Sequence, residues 1–104
     1  MGEYVAVCRV EDILDPGKKT VEVDGQFVVV FRVDGQFYCL DDVCTHDGGP
    51  LGEGSLEGIA IRCPRHGAKF DIRTGKALTM PATVDTRCHD VKVENGMVWV
   101  RLRE

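Results

Sequence analysis

Two short segments, Cys44-Thr45-His46 and Cys63-Pro64-Arg65-His66, constrain this fold more than anything else in the chain. Each carries one cysteine and one histidine, and sixteen residues, Asp47 to Arg62, lie between them. Thiolate and neutral imidazole are the side chains that bind iron, zinc and copper. Four such groups on two loops read as a built metal site. Any fold for this chain must therefore bring the two loops to one place.

Two metal chemistries satisfy that donor set. Four Cys and His ligands suit a closed tetrahedral zinc. They equally suit a 2Fe–2S cluster in which two histidines replace two cysteines on one iron. Zinc fingers usually pair Cys with Cys at one end and His with His at the other. Here each loop supplies one of each. That arrangement suits a dinuclear cluster gripped from two sides, with Cys44 and Cys63 on one iron and His46 and His66 on the other. A redox-inert module with structural zinc in the same four ligands is the competing reading.

The rest of the chain reads as all-β. Short apolar or alternating runs are expected as strands at 4–8, 20–23, 27–33, 37–40, 59–62, 68–72, 90–94 and 97–102. Val10 to Leu14 is expected to form one helical turn, ended by Pro16-Gly17. Asp24-Gly25 reads as a turn, and Asp34-Gly35 and Asn95-Gly96 as tight hairpins. Periodicity alone gives a β-sandwich or barrel. Trp99, Phe27 and Phe31 read as core. His89, beside Cys88, lacks the further ligands a second metal site needs.

With 104 residues the chain is one domain, 1–104, with a modest core. A net charge of −4 argues against nucleic acid and agrees with docking on basic faces of partner proteins. No apolar run approaches a membrane span, and the N-terminus lacks the basic and apolar regions of a signal peptide. The expected location is the cytoplasm. Of the five cysteines, Cys8, Cys39 and Cys88 fall outside the two loops and read as buried or half-buried thiols.

Cys44-Thr45-His46, the sixteen-residue spacer and Cys63-Pro64-Arg65-His66-Gly67 together resemble the Rieske motif. The likeness continues through Phe70-Asp71 and Thr74-Gly75 to Pro81-Ala82, and the order of elements is similar to the small Rieske-type ferredoxins of bacterial ring-hydroxylating oxygenases throughout. The resemblance implies an antiparallel β-sandwich with a small cluster-binding subdomain inserted at about 41–78. It implies one 2Fe–2S cluster per chain, held by Cys44, His46, Cys63 and His66, with the outer histidine edges as the exit for the electron. It also implies a proline loop at Pro81 covering the cluster.

High-potential Rieske proteins resemble this chain at the ligands but differ around them. They carry a Ser two residues after the last His and a Tyr four residues after it, both donating to sulfur. Here those places hold Ala68 and Phe70. They also brace the loops with a disulfide, where this chain has Gly49 and Arg65. All three departures imply a low potential, about −150 mV at the bottom of the Rieske range. Gly48, Gly49 and Gly67 are expected to bring backbone N–H groups to the sulfides, and Pro50, Leu51, Met80 and Pro81 to form an apolar collar around the histidine edges.

The function expected from the resemblance is electron carriage, not catalysis. A flavin-dependent NAD(P)H reductase would donate single electrons, and a terminal oxygenase would accept them. A monomer is expected. A small Rieske-like subunit of an assimilatory nitrite reductase is the runner-up within the fold.

Overall fold

The computed structural model describes residues 3–45, 48–65, 67–80, 82 and 84–103. Among the described residues nine strands form: β1 (Val5–Arg9), β2 (Gly17–Val23), β3 (Gln26–Val33), β4 (Gln36–Asp41), β5 (Ser55–Glu57), β6 (Ala60–Arg62), β7 (Lys69–Asp71), β8 (Cys88–Glu94) and β9 (Met97–Arg101). Every pairing is antiparallel. A six-stranded sheet runs in the order β1-β9-β8-β4-β3-β2, and a three-stranded sheet in the order β5-β6-β7. The smaller sheet falls wholly between β4 and β8 in sequence.

The expected turns are all present. Asp24-Gly25, Asp34-Gly35 and Asn95-Gly96 have positive φ at both residues, the twist that a two-residue hairpin requires. Val10–Asp12 forms a 3-10 turn at the expected place. Arg32, the one charge within the apolar run of β3, reaches across to it. Its Nη1 donates to the carbonyls of Val10 (3.1 Å) and Ile13 (3.0 Å).

β3 explains why its sequence reads as a continuous apolar run. Val29 and Phe31 belong to one buried cluster, with Leu40, Leu51, Ile61, Phe70 and Ile72. Val28 and Val30 belong to another, with Cys8, Ile13, Val23, Cys39, Val98 and Val100. Successive side chains leave opposite faces of a strand, so a strand covered on both faces needs apolar residues throughout. Each fully buried aliphatic or aromatic side chain contributes about 1.5–3 kcal/mol.

β8 joins the two halves of the large sheet. Its first two residues, Cys88 and His89, pair with Leu40 and Cys39 of β4. The rest, Asp90 to Glu94, pair with β9. His89 is buried at this junction. Its Nε2 lies 2.6 Å from Asp41 Oδ1, and its Nδ1 accepts the Arg103 N–H at 2.9 Å. Accepting at Nδ1 leaves the proton on Nε2, so Nε2 donates to the carboxylate. Both ring nitrogens are engaged, in keeping with a structural rather than a metal-binding His89.

Three details differ from expectation. β5 falls in the glycine-rich connection, where three residues give too short an alternation to read. Phe27 is 61% exposed at the hairpin end of β3. Trp99 is half-buried on the outer face of β9, with Lys92 Nζ 5.8 Å from its ring centre. Of the three aromatics expected in the core, Phe31 alone is fully buried there.

Candidate metal centre

The two cysteine loops are built alike. Cys44 donates its N–H to the Gly49 carbonyl at 2.7 Å, and its own carbonyl accepts the Gly48 N–H at 2.7 Å. Cys63 donates to the Ala68 carbonyl at 2.7 Å, and its carbonyl accepts the Gly67 N–H at 3.1 Å. Gly48 and Gly67 both have φ +76°, a left-handed conformation that glycine adopts without a Cβ penalty. Each loop is thus a tight turn opened by cysteine and closed by glycine four residues later. The shared spacing, Cys-x-x-x-Gly, stands in the sequence, but the unequal placement of His46 and His66 hides it.

The N–H groups of Gly48 and Gly67 themselves close the turns on cysteine carbonyls. Glycine is required here for the backbone conformation.

Both cysteines are deeply placed. Cys44 is fully buried and Cys63 is 1% exposed. They share one buried cluster with Leu51, Ala68, Phe70 and Ala82. None of the five cysteines forms a disulfide. Two buried sulfurs on two matched, glycine-closed turns in one cluster fit the thiolate half of a dinuclear site. His46 and His66 lie outside the described residues, as do Asp47 and Pro81.

Residues 84–87 help fasten this region to the large sheet. The Thr45 hydroxyl donates to the Val84 carbonyl. The Thr86 hydroxyl donates to the Val43 carbonyl at 3.2 Å, and Asp41 N–H donates to the Arg87 carbonyl at 2.9 Å. From the other side, Thr86 N–H donates to the Gly75 carbonyl at 2.8 Å, and Ala77 N–H to Asp85 Oδ1 at 2.9 Å. Residues 84–87 therefore strap the first cysteine loop to the turn after β7. No periodicity marks such a segment, because its bonds are made by irregular backbone.

That turn is organised by Asp71. Its Oδ1 accepts from the Arg73 backbone N–H (2.8 Å) and from Arg73 Nε (3.1 Å), and its Oδ2 accepts from Arg73 Nη2 (2.9 Å). Hydrogen bonding to the Arg73 side chain outweighs partial burial and holds the Asp71 carboxyl below its ordinary value. Gly75 sits so close to the strap that a Cβ there would lie 2.1 Å from the Thr86 carbonyl oxygen.

Positions 68 and 70 beside the cysteines carry no hydroxyl. Ala68 and Phe70 are both fully buried. Leu51 is fully buried too, so it fills the core and forms no part of an exposed collar, whereas Met80 is 74% exposed. The remaining cysteines are free thiols. Cys8 and Cys39 are buried and Cys88 is half-buried. Burial pushes the Cys39 thiol up, with Asp41 and Cys88 adding to it.

Residues 3–93 match the family model described as Rieske [2Fe-2S] domain. The chain is 38% identical over 99 residues to the ferredoxin component of the naphthalene 1,2-dioxygenase/salicylate 5-hydroxylase systems of Ralstonia sp, covering 95% of each. It is 39% identical over 99 residues to the 3-phenylpropionate/cinnamic acid dioxygenase ferredoxin subunit of Photorhabdus laumondii, covering 94% of this chain and 93% of that one. Among solved structures, the ferredoxin of carbazole 1,9a-dioxygenase from Nocardioides aromaticivorans IC177 has a TM-score of 0.94 at 27% identity, covering 98% of this chain and all of that one. A chain in the complex of reduced oxygenase and oxidized ferredoxin of carbazole 1,9a-dioxygenase has a TM-score of 0.88 at 37% identity, covering 93% of this chain and 91% of that one.

Proposed function

Because this chain belongs to the Rieske 2Fe–2S domain family, we propose that it is a ferredoxin whose Cys44 and Cys63 hold one iron of the cluster and whose His46 and His66 hold the other. The observation that carries this reading is the pair of matched cysteine turns opening into one buried cluster. A bound cluster stores and releases one electron at a time. The chain itself supplies two buried thiolates, two rigid turns and a dry surround of Leu51, Ala68 and Phe70. We take 1–104 as one domain, with about 41–78 as its cluster-binding part.

The protein is an electron carrier, not an enzyme, as its relatives are named ferredoxin components of dioxygenase systems. We assign it a terminal oxygenase of the ring-hydroxylating kind as electron acceptor. A related ferredoxin is known in complex with its oxygenase, which supports that assignment. A flavin-dependent NAD(P)H reductase is the proposed donor, and a cytoplasmic monomer the proposed state. Among the described residues, no helix is long and apolar enough to cross a membrane. The buried, hydroxyl-free Ala68 and Phe70 support a low potential, since hydrogen bonds to sulfur favour the more negative, reduced state.

The test is EPR of the dithionite-reduced protein, with iron, sulfide and zinc assayed on the same sample. The expected result is a rhombic S = ½ signal with average g below the free-electron value, with two irons and two sulfides per chain. One zinc, no sulfide and no signal would overturn the reading.

A further inference from the structure

The stretch between the two cysteine turns is anchored at Gly52. Lys18 Nζ, on β2, donates to the Gly52 carbonyl at 2.6 Å. The Gly52 N–H donates to Asp42 Oδ1 at 2.6 Å. Asp42 is itself fixed, because its backbone N–H donates to the Phe27 carbonyl of β3 at 3.1 Å. Lys18 and Asp42 are both half-buried. Two charged side chains fixed to the large sheet therefore hold both backbone groups of Gly52. Hydrogen bonds with one charged member are shorter and stronger than neutral ones, and these are short. A Cβ at Gly52 would also run into Thr20 Oγ1 of β2, so the backbone approaches the sheet closely here.

Gly52 lies on the path from one cysteine turn to the other. Three residues before it, the Gly49 carbonyl accepts the Cys44 N–H at 2.7 Å. Two residues after it, Gly54 is pressed against β6. A Cβ there would lie 1.9 Å from the carbonyl oxygen of Arg62, the residue before Cys63. Leu51, next to Gly52, is fully buried in the cluster that holds both cysteines. A displacement of Gly52 is thus passed to Cys44 on one side and to Cys63 on the other.

We propose that Lys18 and Asp42 are positioning residues for the cluster: by fixing Gly52 they set how the Cys44 and Cys63 turns stand relative to each other. The inference rests on the reading of the chain as a Rieske ferredoxin. A dinuclear centre gripped from two loops tolerates little error in loop placement, and the groups behind the ligands hold that placement. Neither residue is a proposed ligand, and both act through backbone.

The test compares four holoproteins with the unmodified one. D42A removes the acceptor, whereas D42N keeps an amide oxygen that accepts the same N–H. K18M keeps the apolar stem and removes the donor. R32Q is the control for general loosening, because Arg32 caps the 3-10 turn at Val10 and Ile13 instead. The readouts are the EPR g-values of the dithionite-reduced samples and the rate at which their iron passes to a ferrous chelator. D42A and K18M are expected to shift the rhombic g-values and to release iron about tenfold faster. D42N is expected to keep the g-values and to release iron within about twofold of the unmodified rate. R32Q is expected to unfold earlier in denaturant with g-values unchanged.

Unmodified g-values in D42A and K18M, with only an earlier unfolding midpoint, would overturn the proposal, since the bonds would then be merely structural. A shift in D42N as large as in D42A would assign the effect to charge and also overturn it. An equal shift in R32Q would do the same by assigning it to general loosening. If D42A holds no cluster, K18M against R32Q still decides. Absence of the rhombic signal from the unmodified protein would fell the ferredoxin reading and this inference with it. Its presence there, unaltered in every variant, would fell the inference alone.

Discussion

Gly48 and Gly67 occupy the same place in two separate loops. Each lies four residues after a cysteine, has φ +76° and returns its N–H to that cysteine's carbonyl. A Cβ at Gly48 meets nothing within 4 Å, so G48A carries conformational strain alone, about 1–2 kcal/mol. A Cβ at Gly67 must also displace the Arg62 guanidinium. G67A is expected to lose cluster faster than G48A on warming, and both faster than the unmodified protein. Visible absorbance against time at fixed temperature measures this, and unchanged decay in both variants would contradict it.

Removing the Thr45 hydroxyl unties the first loop from the strap at Val84. T45V is expected to cost about 1 kcal/mol, the net worth of one hydrogen bond. T45S keeps the hydroxyl and should retain most of that stability. Chemical unfolding of the three holoproteins tests the order, and T45S as unstable as T45V would show that the methyl group matters instead.

Ala68 and Phe70 lie in the same buried cluster as both cysteines. Adding hydroxyls there, as A68S and F70Y, is expected to raise the reduction potential by about 60 mV each, a factor of ten for a one-electron couple. Redox titration followed by EPR decides the matter. No shift in either variant would mean that these positions do not face the sulfurs.

Cys44 and Cys63 belong to one buried cluster, against which Cys88 packs, while Cys8 and Cys39 belong to the other. C44A, H46A, C63A and H66A are each expected to abolish the rhombic signal. C8A and C88A are expected to keep two irons and two sulfides per chain. An iron-free C88A would bring Cys88 into the site and require a different ligand set.

Asp71 ties stability to pH. Its carboxyl is held below the ordinary value of 3.8 in the folded state, chiefly by the Arg73 side chain. The unfolded chain therefore binds this proton more readily, and stability rises with pH through the interval between the two values. The stabilisation is complete above the ordinary value and is lost as pH falls through the depressed one. D71N is expected to be less stable than the unmodified protein at neutral pH, with the gap closing in acid. A gap independent of pH would assign the effect to shape instead of charge.

Much of this was legible along the chain. The three Asp-Gly or Asn-Gly turns each need positive φ at two successive residues, a purely local demand, and each formed where expected. The strands they connect followed, because alternation and apolar runs report which faces are covered. β5 did not show, since three residues held by pairing with β6 carry no pattern of their own. Phe27 misled for a related reason. Its aromatic character fits a core strand, but its register position lies at the exposed end of the sheet.

The sequence by itself determined the all-β class and the family, and it supplied the proposed donor set, because ligand chemistry, turn chemistry and strand period are properties of residues near one another in the chain. Only the tertiary structure decided that Cys44 and Cys63 open equivalent turns, that residues 84–87 strap one turn to the body, and that Arg62 lies across the other. The strap joins segments far apart in sequence, and which backbone groups remain for it once the sheets have formed is recorded by no local pattern. The turns are local, but their likeness lies in backbone dihedrals and hydrogen bonds that residue identity alone does not state.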